Sequence, residues 1–371
     1  MMDFDPLTQA DDLGPAKVVH ITERRTGLLA VVVIDNVAAG PAIGGVRMAS
    51  DMTTAVCFRL ARAMTLKNAM AGLRHGGAKA GIVADPRMPA DGKEQLIRAF
   101  AASIRDLTDY IPGPDMGTNE SAMAMVLDEI GRAVGLPPEL GGLPLDELGA
   151  TGFGVAESAE VAAPRLGIDL VGARVVVQGY GAVGRHAARF LVGKGAVLVA
   201  ASDSRGGVVA PAGLDLDSLD GIKGRGGSVT ECQGDVTIVD RDDVFAVECD
   251  MLIPAAGPDA IRADNVEEVK TRLILQGANI PITAEAEARL HQRGIMNLPD
   301  FVVNAGGVIC GAVEYAHGSR SQAFQLIADT VGGNVEAVLD RCLESGDRPR
   351  EVAMAMARSR VHQAMKARRW I

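Results

Sequence analysis

The chain has 371 residues, too many for one typical domain and suited to two. Hydrophobic residues make up 48% and charged residues 23%, the balance of an ordinary globular protein. A formal net charge of −10 argues against nucleic acid as a partner, because phosphate binding needs a basic stripe.

Aromatic residues are only 3%, so the cores must be built from Ala, Val, Leu, Ile and Met. The cysteines, Cys57, Cys232, Cys249, Cys310 and Cys342, are odd in number and lack metal-ligand spacing, which points to a reducing compartment and to no metal site. Met1 to Asp12 is acidic and has no apolar core of a secretory signal. The apolar run Leu28 to Ile34 is far too short to cross a bilayer. A cytoplasmic protein with no membrane partner is expected.

In chain order, Lys17 to Thr22 and Leu28 to Ile34 read as two strands around a polar turn, Glu23 to Thr26. The Gly/Pro-rich segment Gly40 to Gly45 follows. Thr53 to Ala71 and Glu94 to Leu107 carry apolar residues at helical spacing. Gly131 to Gly149, rich in Gly, Pro and Leu, reads as a connection between domains. Beyond it come a helix over Val155 to Leu166, a strand over Ala173 to Gln178, a glycine turn, a helix over Arg185 to Lys194 and a strand over Val197 to Ala201.

Later apolar runs, Met251 to Pro254, Leu273 to Leu275 and Phe301 to Val303, alternate with helical stretches, as in a parallel sheet covered on both faces. Ser319 to Glu344 and Arg350 to Trp370 read as long helices, the basic end Lys366 to Arg369 being solvated. The expected architecture is α/β in two domains. Residues 1–142 form an N-terminal substrate-binding and oligomerisation domain with a mixed sheet. Residues 143–329 form a Rossmann-type doubly wound nucleotide-binding domain. Residues 330–371 return to the first.

Gly179-Tyr180-Gly181-Ala182-Val183-Gly184 is a G-x-G-x-x-G that directly follows a valine-rich strand and opens a helix. Gly179 permits the tight turn, Gly181 lets a pyrophosphate approach the backbone, and Gly184 lets helix and strand pack closely. The phosphates would sit on the helix N-terminus. Asp203 ends the next strand, placed to hold the adenosine ribose. It favours NAD, because a carboxylate repels a 2′-phosphate. NADP stays possible, because Arg205 follows Ser204 and an arginine there could bind that phosphate.

The segment Met64 to Lys79 holds two lysines, Lys67 and Lys79, the second directly after a Gly-Gly-Ala turn. A carboxylate, Asp115, sits in another Gly/Pro turn, Gly113-Pro114-Asp115-Met116-Gly117-Thr118. Two amines and a carboxylate beside tight glycine turns suggest a reaction centre in the first domain. A hydroxy-acid or methylene-folate dehydrogenase would share the two-domain layout but has no need of this trio. A non-catalytic, cofactor-sensing protein would not fill these positions.

The chain resembles the glutamate/leucine/phenylalanine/valine dehydrogenase family. The resemblance is carried in order by Gly40 to Met48, Met64 to Gly81, Asp115 to Thr118, Gln178 to Gly184, Gln276 to Asn279 and Pro299 to Val308. It implies a reversible, NAD(P)-dependent oxidative deamination of an L-amino acid to a 2-oxo acid and ammonia. It further implies that Lys67 binds the substrate α-carboxylate, that Lys79 is the catalytic amine and that Asp115 moves protons to and from the amino group. Asn304 would help fix nicotinamide and substrate. Thr151, Ala255, Ala256 and Asn279 would join the glycine turn in holding the cofactor. A homo-oligomer, as hexamer, octamer or dimer, is expected.

Glutamate enzymes of that family resemble one another in placing a lysine before the Gly-Gly of the first motif, where this chain has Ile43 before Gly44. They also tend to carry a serine where it has Gly311. Both replacements remove partners for a second carboxylate, which points to leucine, valine, isoleucine or phenylalanine. The stretch Asp203 to Val208 instead resembles the glutamate branch, and glutamate is the alternative. His75 reads as a packing residue, Tyr180 as exposed near the cofactor, and Cys310 as a small apolar filler.

Overall fold

The structure, a computed structural model, describes residue 5 and residues 8–368. Much of the acidic N-terminal stretch, and Arg369 and Trp370 of the expected last helix, lie outside the described residues. The chain forms two compact units.

The first unit runs to Leu145 and adds Val308–Ala323 and the chain from Met354 onward. Its strands are β1 (Lys17–Glu23), β2 (Leu28–Asn36), β3 (Ala42–Ala49), β4 (Gly77–Val83) and β5 (Tyr110–Pro114), and its helices α1 (Thr54–Met70), α2 (Ala90–Ser103) and α3 (Glu120–Ile130). The sheet order is β1-β2-β4-β3-β5. β1, β2 and β4 pair antiparallel, whereas β3 is parallel to both β4 and β5, so the sheet is mixed.

β2 is apolar on both sides because both are covered. Val32 and Ile34 join a core with Leu96, Phe100, Met123 and Val126 of α2 and α3. Val31 and Val33 face Cys57 and Ala61 of α1. That period-two division is what pleating imposes on a strand between two helical layers. Thr53 caps α1 by accepting from the Val56 amide, at the expected start.

The glycine-rich stretches expected as turns are the central strands. A Cβ on Gly44 would lie 1.8 Å from the Ala78 carbonyl oxygen, and one on Gly77 would lie 2.0 Å from the Thr65 amide nitrogen. Glycine here serves close approach between neighbouring strands and between strand and helix.

The chain enters the second unit through α4 (Leu145–Leu148). That unit comprises Asp146–Gly307 and Phe324–Ala353. Its elements begin with α5 (Ala150–Arg165), β6 (Arg174–Gln178), α6 (Ala182–Gly193), β7 (Val197–Asp203), β8 (Gly206–Val209), α7 (Leu216–Gly224) and β9 (Thr237–Val239). β10 (Met251–Pro254), β11 (Leu273–Leu275), α8 (Ala284–Gln292), β12 (Met296–Leu298) and α9 (Asp300–Val303) follow. The remaining helices are α10 (Gly306–Tyr315), α11 (Arg320–Ser345) and α12 (Pro349–Ala367), each divided between the two units.

The second sheet runs β12-β11-β10-β6-β7-β8-β9, parallel from β12 to β7 with an antiparallel edge at β8 and β9. Strand order reverses between β6 and β10, the point at which open α/β sheets bind ligands. This is the expected doubly wound domain.

Three expectations need correction. Phe301–Val303 is helical (α9), and the edge strand is the preceding Met296–Leu298. α5 begins at Ala150 rather than Val155, because Gly152 and Gly154 are absorbed by close packing against His186 and Val303. α11 belongs to the second unit from Phe324 onward, since Phe324 packs on Phe153 and Phe190 and Arg165 pairs with Glu336 and Asp340.

Gly44→Ala should push the Ala78 carbonyl aside and lower stability by about 1–3 kcal/mol, read as a lower urea midpoint. An unchanged midpoint would show that β3 and β4 separate freely.

Candidate active site

Lys79 sits within β4, not after a turn. Ile43 pairs with Gly77 and Val46 with Ala80, which sets Gly45 of β3 beside Lys79. On the other side Gly45 pairs with Gly113 of β5. The lysine therefore reaches over a strand that has no side chain in its way. Its Nζ lies 2.5 Å from Oδ2 of Asp115, the first residue beyond β5. A Cβ on Gly45 would stand 2.8 Å from the Asp115 Cβ and 3.2 Å from the Lys79 Nζ.

Thr118 fixes the backbone that carries the carboxylate. Its hydroxyl donates to the Val46 carbonyl at 2.7 Å and accepts from the Asp115 amide at 3.0 Å. Arg47 of β3, which the sequence reading left without a role, completes the cluster, its Nε donating to Asp115 Oδ2 at 3.1 Å. The signal was present: Arg47 is two residues from Gly45, hence on the same strand face. Burial pushes the Asp115 carboxyl up, but the Lys79 ammonium and the Arg47 guanidinium outweigh it and hold it below its ordinary value.

Lys67 lies in the last turn of α1, half-buried. The next residue, Asn68, is fully buried and donates to the Gly76 carbonyl at 2.7 Å, tying that turn to the start of β4. Ile43 is buried in an apolar cluster with Ile111, Val134 and Ala312, with Leu73 and Tyr315 packed on it. Gly311 enters the same region, since a Cβ there would sit 3.8 Å from a Val134 methyl. Val134 was not foreseen, as it lies in a stretch read as linker.

Glu314, one turn beyond Gly311, holds that stretch by accepting from the Leu136 and Leu143 amides. His75 has its Nδ1 3.0 Å from the Pro41 carbonyl and its ring edge on Tyr315, and burial lowers its pKa. Cys310 is buried, its thiol pushed up to about 12 by desolvation.

In the second unit the glycine turn joins β6 to α6 at the reversal point. Gly179 has φ +96° and abuts Ala256, where a Cβ would lie 2.4 Å from the amide nitrogen. Gly184 packs on the Gly179 carbonyl and Val177. At Gly181 a Cβ would meet nothing within 4 Å, and Gly181 and Ala182 are exposed at the α6 N-terminus. These are the demands of a pyrophosphate cradle, so the residues fit a dinucleotide.

Tyr180 is 1% exposed rather than open to the cofactor, its hydroxyl donating to Asp220 at 3.1 Å. Asp203 is likewise committed inward. Its Oδ1 accepts from the Arg205 amide and the Ser228 hydroxyl, its Oδ2 from the Val229 amide and the Lys223 ammonium. A ribose hydroxyl would have to displace one of these donors. Ser204 beside it is exposed.

Ala255 and Ala256 follow β10, and Gly277, Ala278 and Asn279 follow β11. Val183 faces them, 3.3 Å from where a Gly277 Cβ would stand. Asn304 donates through Nδ2 to the Gly277 and Ala278 carbonyls and to Asn279 Oδ1. Thr151 lies in the first turn of α5, packed against Gly306.

A dinucleotide cradle and a lysine–aspartate pair fit a nicotinamide-dependent oxidoreductase. Comparison with known proteins narrows this. Residues 16–132 match the family described as the Glu/Leu/Phe/Val dehydrogenase dimerisation domain, and residues 141–369 match Glutamate/Leucine/Phenylalanine/Valine dehydrogenase. The chain belongs to this family of NAD(P)-dependent amino-acid dehydrogenases, which act on the CH–NH2 group.

It is 36% identical to the NADP(+)-dependent glutamate dehydrogenase of Pyrobaculum calidifontis, over 91% of this chain and 85% of the relative. It is 37% identical to the NADP-specific glutamate dehydrogenase of Saccharolobus shibatae, over 90% and 83%. Among solved structures it resembles the hetero-hexameric glutamate dehydrogenase of Thermus thermophilus in its Leu-bound form, with a TM-score of 0.84, 31% identity and coverage of 95% and 90%. L-Tryptophan dehydrogenase from Nostoc punctiforme shares the fold, with a TM-score of 0.74, 22% identity and coverage of 95% and 97%.

The depressed Asp115 carboxyl contributes stability that is present above its unfolded value near 3.8 and lost as pH falls through the lower native value. Arg47→Met removes one of the two cations and brings the native value nearer the unfolded one, so this loss should be smaller and should end at a higher pH. Thermal midpoints between about pH 3 and 6 check this, and parallel curves for variant and wild type would refute it.

Proposed function

We propose that this dehydrogenase deaminates an apolar L-amino acid, such as leucine, valine, isoleucine or phenylalanine, to its 2-oxo acid and ammonia. One observation carries this reading: Ile43 is buried with Ile111, Val134 and Ala312, with Gly311 beside Val134. A side-chain carboxylate placed there would lose its hydration without gaining a cation from the Ile43 position, a cost of several kcal/mol.

Glutamate is the second reading. It is favoured by the 36–37% identity to the two glutamate dehydrogenases over nine-tenths of the chain.

In this reading Lys67 takes the substrate α-carboxylate as a point charge. Asp115 accepts a proton from the substrate ammonium, and its depressed pKa keeps it ionised and ready. Lys79, released from Asp115 as substrate enters, orients water and supports the negative charge that develops on oxygen. A bound nicotinamide supplies the hydride acceptor. Gly179, Gly181 and Gly184 hold its pyrophosphate, with Tyr180, Ala182 and Val183 in the same turn. Asp203, Ser204, Ala255, Ala256, Asn279, Asn304 and Thr151 line the rest of its site.

NAD is the proposed cofactor, with NADP accepted, because Lys223 already neutralises the charge of Asp203. Among the described residues β1 pairs with β2 alone in the sheet, and so offers an edge for assembly into a homo-oligomer of two, six or eight chains.

Purified protein screened with a panel of amino acids and both nucleotides should reduce NAD(P) with an apolar substrate at the highest kcat/KM. Preference for glutamate would overturn the apolar reading, and no turnover with any amino acid would overturn the catalytic one. Lys79→Ala should lower turnover at least a thousandfold with nucleotide affinity unchanged. Ile43→Lys should shift selectivity toward glutamate at least tenfold, and failure to shift would remove Ile43 from the side-chain pocket.

A further inference from the structure

We propose that Arg350, at the start of α12, is a positioning residue for the dinucleotide. It holds the loop beyond β11 in the shape that receives the cofactor. The inference rests on the assignment of Gly277 to Asn279 and Asn304 to the cofactor site made above, and adds a residue far from that site in sequence.

Arg350 is partly buried among side chains of the second unit. Its Nε donates to both oxygens of Glu287, at 2.9 and 2.8 Å. Its Nη2 donates to Gln276 Oε1 at 2.9 Å and to Asp300 Oδ1 at 2.8 Å. The guanidinium carbon stands 5.7 Å from the centre of the Phe301 ring. Glu287, Asp300 and Gln276 are all less than a tenth exposed. Gln276 closes the network by donating to Glu287 at 2.8 Å and to Asn297 at 2.9 Å.

These partners are the two ends of the loop. Gln276 is its first residue. Asp300 holds its far end, since Asp300 Oδ2 accepts from the Ile280 amide at 3.0 Å. Ile280 has φ +49°, a conformation a β-branched residue adopts only when its surroundings impose it. Between the two anchors, Asn304 grips the carbonyls of Gly277 and Ala278. Asn304 is itself set by its amide, which donates to the Asp300 carbonyl at 2.8 Å. Arg350 thus joins both anchors through one rigid group.

A buried ion network of this kind adds little net stability over an apolar core of equal volume. What it supplies is direction: a guanidinium donates along fixed vectors, and a lysine ammonium cannot serve the same three acceptors together.

The test compares wild type, Arg350→Lys and Asp300→Asn as full-length chains, by steady-state kinetics and by hydrogen exchange of residues 276–281. For Arg350→Lys, KM for the dinucleotide should rise at least tenfold and KM for the amino acid change less than twofold. For Asp300→Asn the dinucleotide KM should rise at least threefold. Exchange of the loop should accelerate in both.

A purely structural role predicts a lower melting temperature with both KM values and loop exchange unchanged, and that result overturns the proposal. Should Arg350→Lys fail to fold, Asp300→Asn decides by the same readings. If wild type binds neither NAD nor NADP, the cofactor assignment itself falls, and so does the proposal built on it.

Discussion

The pairing of Lys79 with Asp115 constrains how β3, β4 and β5 come together in the first unit. An ammonium whose side chain is 8% exposed cannot be left without a counter-charge, since the cost runs to several kcal/mol. The counter-charge sits across an intervening strand, so the geometry holds only while β3, β4 and β5 keep their register and Gly45 stays bare. The same demand explains the strand order. β3 enters between β4 and β5 in parallel, which brings a residue from the middle of one strand and one from just past the end of another to the same face.

That constraint marks the border of what the sequence made legible. Lys79 and Asp115 stood out because amines and carboxylates among glycines are uncommon, and the family resemblance supplied their roles. Their surroundings did not stand out. Gly-Gly before Val46 and Gly76-Gly77 before Ala78 look like turns to any local rule, because glycine weakens isolated strands. Only the tertiary fact of a neighbouring backbone within contact distance makes glycine the required strand residue there. Arg47 stayed hidden for the same reason: its partner arrives from another strand.

The second unit shows the complementary case. The turn from Gly179 to Gly184 was legible because its demands are local: a positive φ, an open helix start and a close helix–strand contact all fall within six residues. The burial of Tyr180 and the hydrogen bonds of Asp203 stayed hidden because their partners are remote. Asp220 and Lys223 lie on α7 and Ser228 in the loop after it, and no pattern around residue 180 or 203 announces them. Asp203 reads as a free carboxylate in sequence and as a four-bond anchor in the fold. Arg350 is the extreme instance, its partners spread from residue 276 to residue 300.

Substrate identity obeys a different arithmetic from fold identity. Identity of 36% over 91% of the chain counts every position alike, whatever that position does. The proposed side-chain pocket rests on few positions, here Ile43, Val134, Gly311 and Ala312. Exchanging a cation for isoleucine at one of them alters a single residue. Yet it reverses the sign of the free energy for burying a second carboxylate, from paired to unpaired. In the proposed reading the chemistry of those four side chains, rather than overall likeness, decides the substrate. An apolar wall cannot strongly exclude one aliphatic side chain in favour of another, because a methylene is worth only about 1–3 kcal/mol. The proposed pocket would select against charge first and rank the apolar amino acids among themselves only weakly.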